Sequence, residues 1–559
     1  MTEPAPPLPP TLASPADQMF PTLTPAQMAR VAAHGSVRAV ERGEVLVEAG
    51  DQVVPFFVVK TGRIEIARPF GATATVVAIH GPGQFSGEVN MLSGRRALAR
   101  ARVTEPGEVV ELGREGLLAL VQTDSEIGEI VLRAFILRRV ELIAHGIGDA
   151  VLLGSSHSAG TLRVREFLTR NGHPYAYVDL DHDAGVQELL DQFHVAAEEV
   201  PVLICRGTVV LRNPTDQQIA ACLGFNEAID VGQLRDLVVV GAGPAGLAAA
   251  VYGASEGLEV LVLEASSPGG QAGSSSRIEN YLGFPMGISG QELAARAYTQ
   301  AEKFGAQLMV ARGAQRLDCA KRPYAVEIEG GLRVPARTVV LAMGAEYRKL
   351  SLPALARFQG AGVYHGATFM EAQLCAGEEV IVVGGGNSAG QAAVFLAQTA
   401  KRVHILVRSG GLAESMSRYL IRRIEDHPAI DLRTRTEIVA LEGGDHLERV
   451  RWRDDRTGAE ETRDIRHVFV MTGATPSTRW LEGCLALDAK GFIKTGPDLT
   501  RDELTAAHWP LVRSPYLLET SLPGVFAVGD VRSGNVKRVA SAVGEGSIAV
   551  SFVHQVLRE

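Results

Sequence analysis

The chain has 559 residues, 46% apolar and 21% charged, with a net charge of −9. That length suggests about three to five domains of an ordinary globular protein, and the acidic balance argues against a nucleic-acid partner. No run approaches the ~20 apolar residues that span a bilayer. Five scattered cysteines (Cys205, Cys222, Cys319, Cys375, Cys484) exclude a disulfide scaffold or zinc ribbon and suit a reducing cytoplasm.

Residues 1–20, "MTEPAPPLPPTLASPADQMF", lack the basic start and apolar core of a signal peptide and read as a disordered lead. Residues 21–148 open with short alternating strands broken by glycine, such as "PFFVVKTGRIEIARP". They close on a helix from Ser125 to about His145, with Ile127, Ile130, Val131, Phe135 and Ile136 on one face. Residues 149–228 read as strand, helix, strand, helix, then a hairpin and a last helix, a small α/β module. From residue 232 strands and helices alternate as in a parallel doubly wound sheet, covering 232–350 and 477–559. A second nucleotide-binding unit, residues 351–476, is inserted within it.

Two glycine-rich loops anchor that reading. Gly241, Gly243 and Gly246, with Pro244 and Ala245 between them, join the strand "LVVV" to the helix "LAAAVYGA". The first glycine permits a tight turn, the second admits a pyrophosphate, and the third lets helix and strand pack closely. Glu264 closes the next strand, 23 residues after Gly241, where an acid can bond ribose hydroxyls. The second loop carries Gly384, Gly386, Asn387, Ser388 and, in the third glycine position, Ala389. Its following strand, "VHILVR", ends in Arg408 rather than an acid, which suits a 2′-phosphate and favours NADPH over NADH. Arg418 is a second candidate for that phosphate.

"GAGPAG", "PGGQAG", "IENYLGFP", "TVVLAMGAEYR", "VVGGGNSAG", "MTGATP" and "PGVFAVGDVRSGNVKRVASAVGEG", taken in order, resemble the motif set of the thioredoxin reductase family over about residues 235–559. The resemblance implies FAD on the first loop, with Gly270, Gln271, Asn280 and Gly344 beside it. It also implies Gly529 and Asp530 at the ribityl chain and phosphate, and Arg538 and Val539 at the ring edge. In that family a cysteine pair opens the inserted domain and takes electrons from the reduced flavin. Here the stretch reads Tyr364-His365-Gly366-Ala367-Thr368, with His365 and Thr368 where the thiols would stand. Neither side chain can form a disulfide, so electrons would leave FAD directly. His365 is the one candidate catalytic group, as a proton donor near the flavin. Cys375 reads as a packed small apolar residue.

Upstream, "GPGQFSGEVNMLSGRRALARARV" resembles the phosphate cassette of cyclic-nucleotide-binding β-rolls, though it is shorter. The resemblance implies cAMP or cGMP as ligand. Glu88 would meet the ribose, Arg95 or Arg96 the cyclic phosphate, and amides near Gly87 and Ala97 would complete the cradle. Residues 149–228 look like a glutaredoxin or thioredoxin module whose active-site position reads "GSSHSAGT", without sulfur. Val200-Pro201 falls where that fold keeps a cis-proline, and Cys205 just after it reads as core.

The resulting fold is multidomain: a β-roll, a thioredoxin-like α/β module and two Rossmann-like dinucleotide-binding domains. The leading function is an FAD-dependent NADPH oxidoreductase that reduces an external acceptor such as a ferredoxin, flavodoxin or quinone. A cyclic nucleotide would regulate it. The family implies a homodimer, and hinges near Gly362 and Gly473. Two alternatives stand beside this reading: a non-catalytic signalling protein that binds FAD and NADPH, and a thioredoxin-disulfide reductase using other thiols.

Overall fold

The computed structural model describes residues 15–70, 73–146, 148–155, 158–181, 199–207, 209–347, 350–367 and 369–559. They form two compact units. One is built from the described residues up to 154 together with 171–230 and 299–311, the other from 155–170, 231–298 and 312–559.

In the first unit five antiparallel strands make the roll. Arg100–Leu112 lies between Ser36–Val40 and the long strand Phe56–Phe70, which in turn pairs with Thr73–His80. Apolar residues at alternate positions turn Phe56 and Val58 toward one face and Phe57 and Val59 toward the other, and all four are fully buried. Phe56 and Phe85 pack on Phe135, with ring centroids 6.1 and 6.4 Å away. Phe135 belongs to the helix Ser125–Ala144, whose N-terminus is capped by the Asp124 carboxylate accepting from the Ile127 amide. Ile127, Val131 and Phe135 are buried as the periodicity predicts, but Ile136 is exposed and Arg138 and Arg139 are buried instead. Their guanidiniums find internal acceptors, which is what permits a charge at such positions. Most of the expected disordered lead lies outside the described residues. Its last part, Pro15–Met19, is a short helix, and the following Phe20 ring lies 5.1 Å from the Arg138 guanidinium.

A second sheet of this unit runs Tyr175–Asp179, Ala150–Gly154, Val202–Cys205, Val209–Arg212. Its first pair is parallel and the rest antiparallel. The Val200–Pro201 bond is cis. The helix Asp216–Cys222 follows, started by a capping box between Thr215 and Gln218. The helix expected between the second and third strands lies outside the described residues.

In the second unit one sheet sets Arg235–Val240 between Val260–Leu263 and Leu332–Leu341, all parallel. The strand Val525–Ala527 lies on the far side of Leu332–Leu341, again parallel. Another, wholly parallel sheet runs Val363–Tyr364, His467–Val470, Glu379–Val383, Arg402–Val407, Ile430–Thr434. The chain passes between the two sheets through a short antiparallel ribbon, Ala345–Tyr347 against Ala474–Pro476. In both sheets the strand ahead of a glycine loop is central and its last four residues are apolar and buried, which puts each loop at the carboxyl end where ligands of such folds bind.

His80 gives the roll a pH response. It is 2% exposed and its Nδ1 has no hydrogen-bond partner. Burial, aided by the nearby Arg138 charge, lowers its pKa from 6.5 to about 3. As pH falls below 6.5 the unfolded chain takes up a proton that the folded chain refuses. Stability is therefore full above that value and declines toward pH 3, by up to about 1.4 kcal/mol per pH unit. Urea denaturation at several pH values should show this slope, and His80→Gln should flatten it.

Candidate active site

A cleft of about 930 Å³ opens in the second unit, at the carboxyl ends of the parallel strands of its two main sheets. The first glycine loop forms its floor. Gly241 has φ = 100°, and a Cβ there would lie 2.6 Å from the Ala342 carbonyl oxygen, so only glycine makes this turn. The helix Pro244–Ser255 then starts with its amides facing the cleft, and Gly243 lies at its N-cap. The Glu264 carboxylate accepts from the Ala242 and Ser266 amides at 2.7 and 3.0 Å. Desolvation nevertheless raises its pKa, because the backbone donors only partly offset the loss of water.

The other residues expected at a flavin converge on the same cleft. Gly270, Gln271, Asn280, Gly344, Gly529, Asp530, Arg538 and Val539 all line it, as do Pro244, Ala245 and Glu264. Gln271 donates from Nε2 to the Ala345 carbonyl at 2.5 Å. Gly529 donates its amide to Glu545 at 2.7 Å, which fixes the turn that carries Asp530. Burial raises the Asp530 pKa, with Lys537 acting against it and Glu545 with it. Gly246 serves packing rather than lining. A Cβ there would lie 1.9 Å from the Gly241 carbonyl oxygen.

The second loop is built on the same plan. Gly386 is the N-cap of the helix Asn387–Leu396, and a Cβ on Gly384 would fall 2.4 Å from the Met471 carbonyl oxygen. Asn387 and Ser388 line the cleft, while Ala389 is fully buried where a third glycine is usual. The Asn387 side chain accepts from the Ser417 amide at 2.8 Å, which holds the segment carrying Arg418 beside this helix. Arg408 and Arg418 are exposed and do not line the main cleft. Arg435, which sequence spacing did not single out, donates its amide to the Ser409 carbonyl and brings a third guanidinium to this corner.

His365 lines the cleft between the two loops, 3.5 Å from the Gln359 side-chain nitrogen, and Thr368 lies outside the described residues. No cysteine is among the described residues that line the cleft. Cys375 is fully buried, its thiol pushed up to about 12 by desolvation. The fold does bring together two cysteine pairs that are far apart in sequence. Cys205 and Cys222 share a thiol hydrogen bond in the first unit, which lowers the Cys222 pKa and raises that of Cys205. Cys319 and Cys484 lie together in the second, with the Cys484 thiol raised mainly by burial. All five cysteines are free.

In the roll, Gly87, Glu88 and Ala97 line a largely apolar cavity of about 140 Å³. Arg95 and Arg96 do not line it. Arg95 is buried with its guanidinium 4.3 Å over the Phe225 ring. Arg96 forms a two-point ion pair with Glu227, Nε to Oε2 at 2.7 Å. Glu88 is paired with Arg139, which also donates to the Asn90 side chain at 2.6 Å.

Residues 235–546 match the family model described as pyridine nucleotide-disulphide oxidoreductase, and residues 37–124 match the cyclic nucleotide-binding domain. A thioredoxin reductase of Bacillus subtilis is 32% identical over 329 residues, covering 58% of this chain and 96% of the relative. One from Mycolicibacterium smegmatis is 33% identical over 318 residues, covering 56% and 94%. The crystal structure of Lactococcus lactis thioredoxin reductase in its FR conformation aligns with a TM-score of 0.52 at 26% identity, covering 58% of this chain and all of that one. FAD and NADPH are the cofactors of such enzymes, and the two glycine loops with their shared cleft fit that pair. The chain therefore belongs to the pyridine nucleotide-disulphide oxidoreductase family, as a thioredoxin reductase-like oxidoreductase with a cyclic nucleotide-binding domain ahead of it.

Proposed function

We propose that this oxidoreductase carries electrons from NADPH through FAD to an acceptor outside the chain, without an internal disulfide relay. The carrying observation is the cleft itself: both glycine loops and His365 meet there, and no cysteine is among the described residues lining it. FAD is assigned to Gly241, Gly243, Pro244, Ala245, Gly246, Glu264, Gly270, Gln271, Asn280, Gly344, Gly529, Asp530, Arg538 and Val539. NADPH is assigned to Gly384, Gly386, Asn387, Ser388 and Ala389, with Arg408 and Arg418 at its 2′-phosphate. His365, which lines the cleft, is the candidate proton donor because imidazole ordinarily titrates near neutrality. Hydride transfer itself needs stacking and excluded water more than an acid or base.

Mixing the purified protein with NADPH under anaerobic conditions should bleach the flavin's long-wavelength band. A band that persists removes the enzymatic reading in favour of a protein that only binds the two nucleotides. Ferredoxin, flavodoxin, quinones and oxygen then form the acceptor screen, with NADPH consumption as readout. A thioredoxin disulfide belongs in the same screen because of the Cys319 and Cys484 pair.

Arg408 is exposed and reports on cofactor choice. Arg408→Ala should raise KM for NADPH about tenfold or more, the usual worth of a charge-assisted bond, and leave NADH nearly unchanged. Equal effects on both cofactors would remove the 2′-phosphate assignment.

The middle module is assigned a thioredoxin-like shape, a reading supported by its mixed four-stranded sheet and the cis bond at Pro201. For the roll, the ligand class is cAMP or cGMP, with Arg95 or Arg96 at its phosphate, and a phosphate that takes Arg96 has to compete with Glu227. Glu227→Gln should therefore tighten cyclic-nucleotide binding by about two- to fivefold, the range of a half-exposed ion pair. Calorimetry with both nucleotides checks this, and absence of heat in wild type and variant alike would discard regulation by them.

A further inference from the structure

The helix Ala159–Arg170 belongs by sequence to the middle module, yet it packs within the second unit and forms one wall of the cleft. Ala159, Leu162, Arg163, Glu166 and Arg170 line the cavity, and their three- and four-residue spacing is one face of a helix. Gln291 donates to the Thr169 carbonyl at 3.1 Å, and a Cβ on Gly360 would lie 3.0 Å from that of Ala159. The helix is thus held at both ends.

Its last residue reaches furthest. Arg170 donates from Nη2 to the Gly270 carbonyl at 2.8 Å. Gly270 is itself pressed against the first loop, since a Cβ built on it would lie 3.0 Å from the Gly243 Cα. The guanidinium therefore stands one residue away from the turn that receives a diphosphate. Its Nε is buried and has no hydrogen-bond partner, and its charge acts against the burial-driven rise of the Glu264 pKa. The loop from Gly241 to Gly246 contains no cation, so its amides alone would face two negative charges. Glu166, 3.4 Å from Nη1, is a partly exposed partner and leaves most of the guanidinium's donors available. Arg170 lies well upstream of residues 235–546, outside the stretch that matches the family model.

We propose that this helix is part of the FAD site and that Arg170 neutralises the diphosphate of the cofactor. The inference rests on the assignment of FAD to the first loop and adds a binding residue from outside the stretch that matches the family model. This helix then has a task that needs no sulfur: it walls the cofactor cleft.

Flavin-depleted full-length protein allows a test that does not depend on turnover. Calorimetry with ADP probes the diphosphate end and riboflavin the ring end. Arg170→Gln should weaken ADP and FAD about tenfold to a hundredfold, the usual span for a charge-assisted bond to phosphate. Riboflavin binding should be unchanged, and Arg170→Lys should recover most of the loss. ADP affinity in Arg170→Gln equal to wild type overturns the proposal. An equal loss of ADP and riboflavin in both variants overturns it as well, since Arg170 would then only staple the helix to Gly270. A wild-type protein that takes up no FAD would instead sink the underlying cofactor assignment.

Discussion

The close approach of backbone to backbone around the first glycine loop is the constraint on which the cleft depends. Gly246 brings its helix so near the turn that a methyl group would overlap the Gly241 carbonyl. Gly546, on the helix Val539–Arg558, does the same against the Ala245 carbonyl from the other side, at 2.2 Å for a built Cβ. Three backbone segments therefore converge within contact distance with no side chains between them. That convergence aims helix amides into the cleft and brings Gly529 against Ala245, where a built Cβ would lie 2.9 Å from the Ala245 Cβ. The apolar stretches Leu237–Val240 and Val260–Leu263 behind it are buried and supply the rigid base that such a junction needs.

The first unit is organised by buried arginines rather than by glycine. Arg138 donates to the Met19 and Gly87 carbonyls, and Arg139 to Glu88, Asn90 and the Gly172 carbonyl. Matching most donors in this way is what makes the buried charge tolerable, although the Arg138 Nη2 has no hydrogen-bond partner, and removing one partner costs far more than the pair contributes. The network ties the cassette to the long helix and, through Gly172, Phe225 and Glu227, to the second sheet of the same unit. The cassette residues thus serve a structural web as well as facing a cavity.

How much of this was legible in the sequence depends on the range of the interaction. Gly241 and Glu264 could be read because the turn and the acid obey a fixed spacing around one strand. The residues of the cleft followed from the order of the family's motifs, some at strand ends such as Gly344 and others at helix starts such as Gly270 and Val539. Arg170 could not be found, because its contact with Gly270 spans a hundred residues and no periodicity connects them. Arg435 was missed for the same reason. The paired cysteines were hidden too: Cys319 and Cys484 share no local pattern, and scatter along the chain says nothing about distance in the fold. Ile136 was misjudged because helical periodicity cannot tell an apolar face from one where arginines find acceptors.

The ribbon between Ala345–Tyr347 and Ala474–Pro476 has a mechanical meaning. Gln271 is bonded to the carbonyl of Ala345, the first residue of that ribbon. A swing of the inserted sheet must wind these two strands, and winding them pulls on one side-chain amide that also borders the cleft. Any rotation of the inserted sheet would in this way be felt at the cleft through a single glutamine.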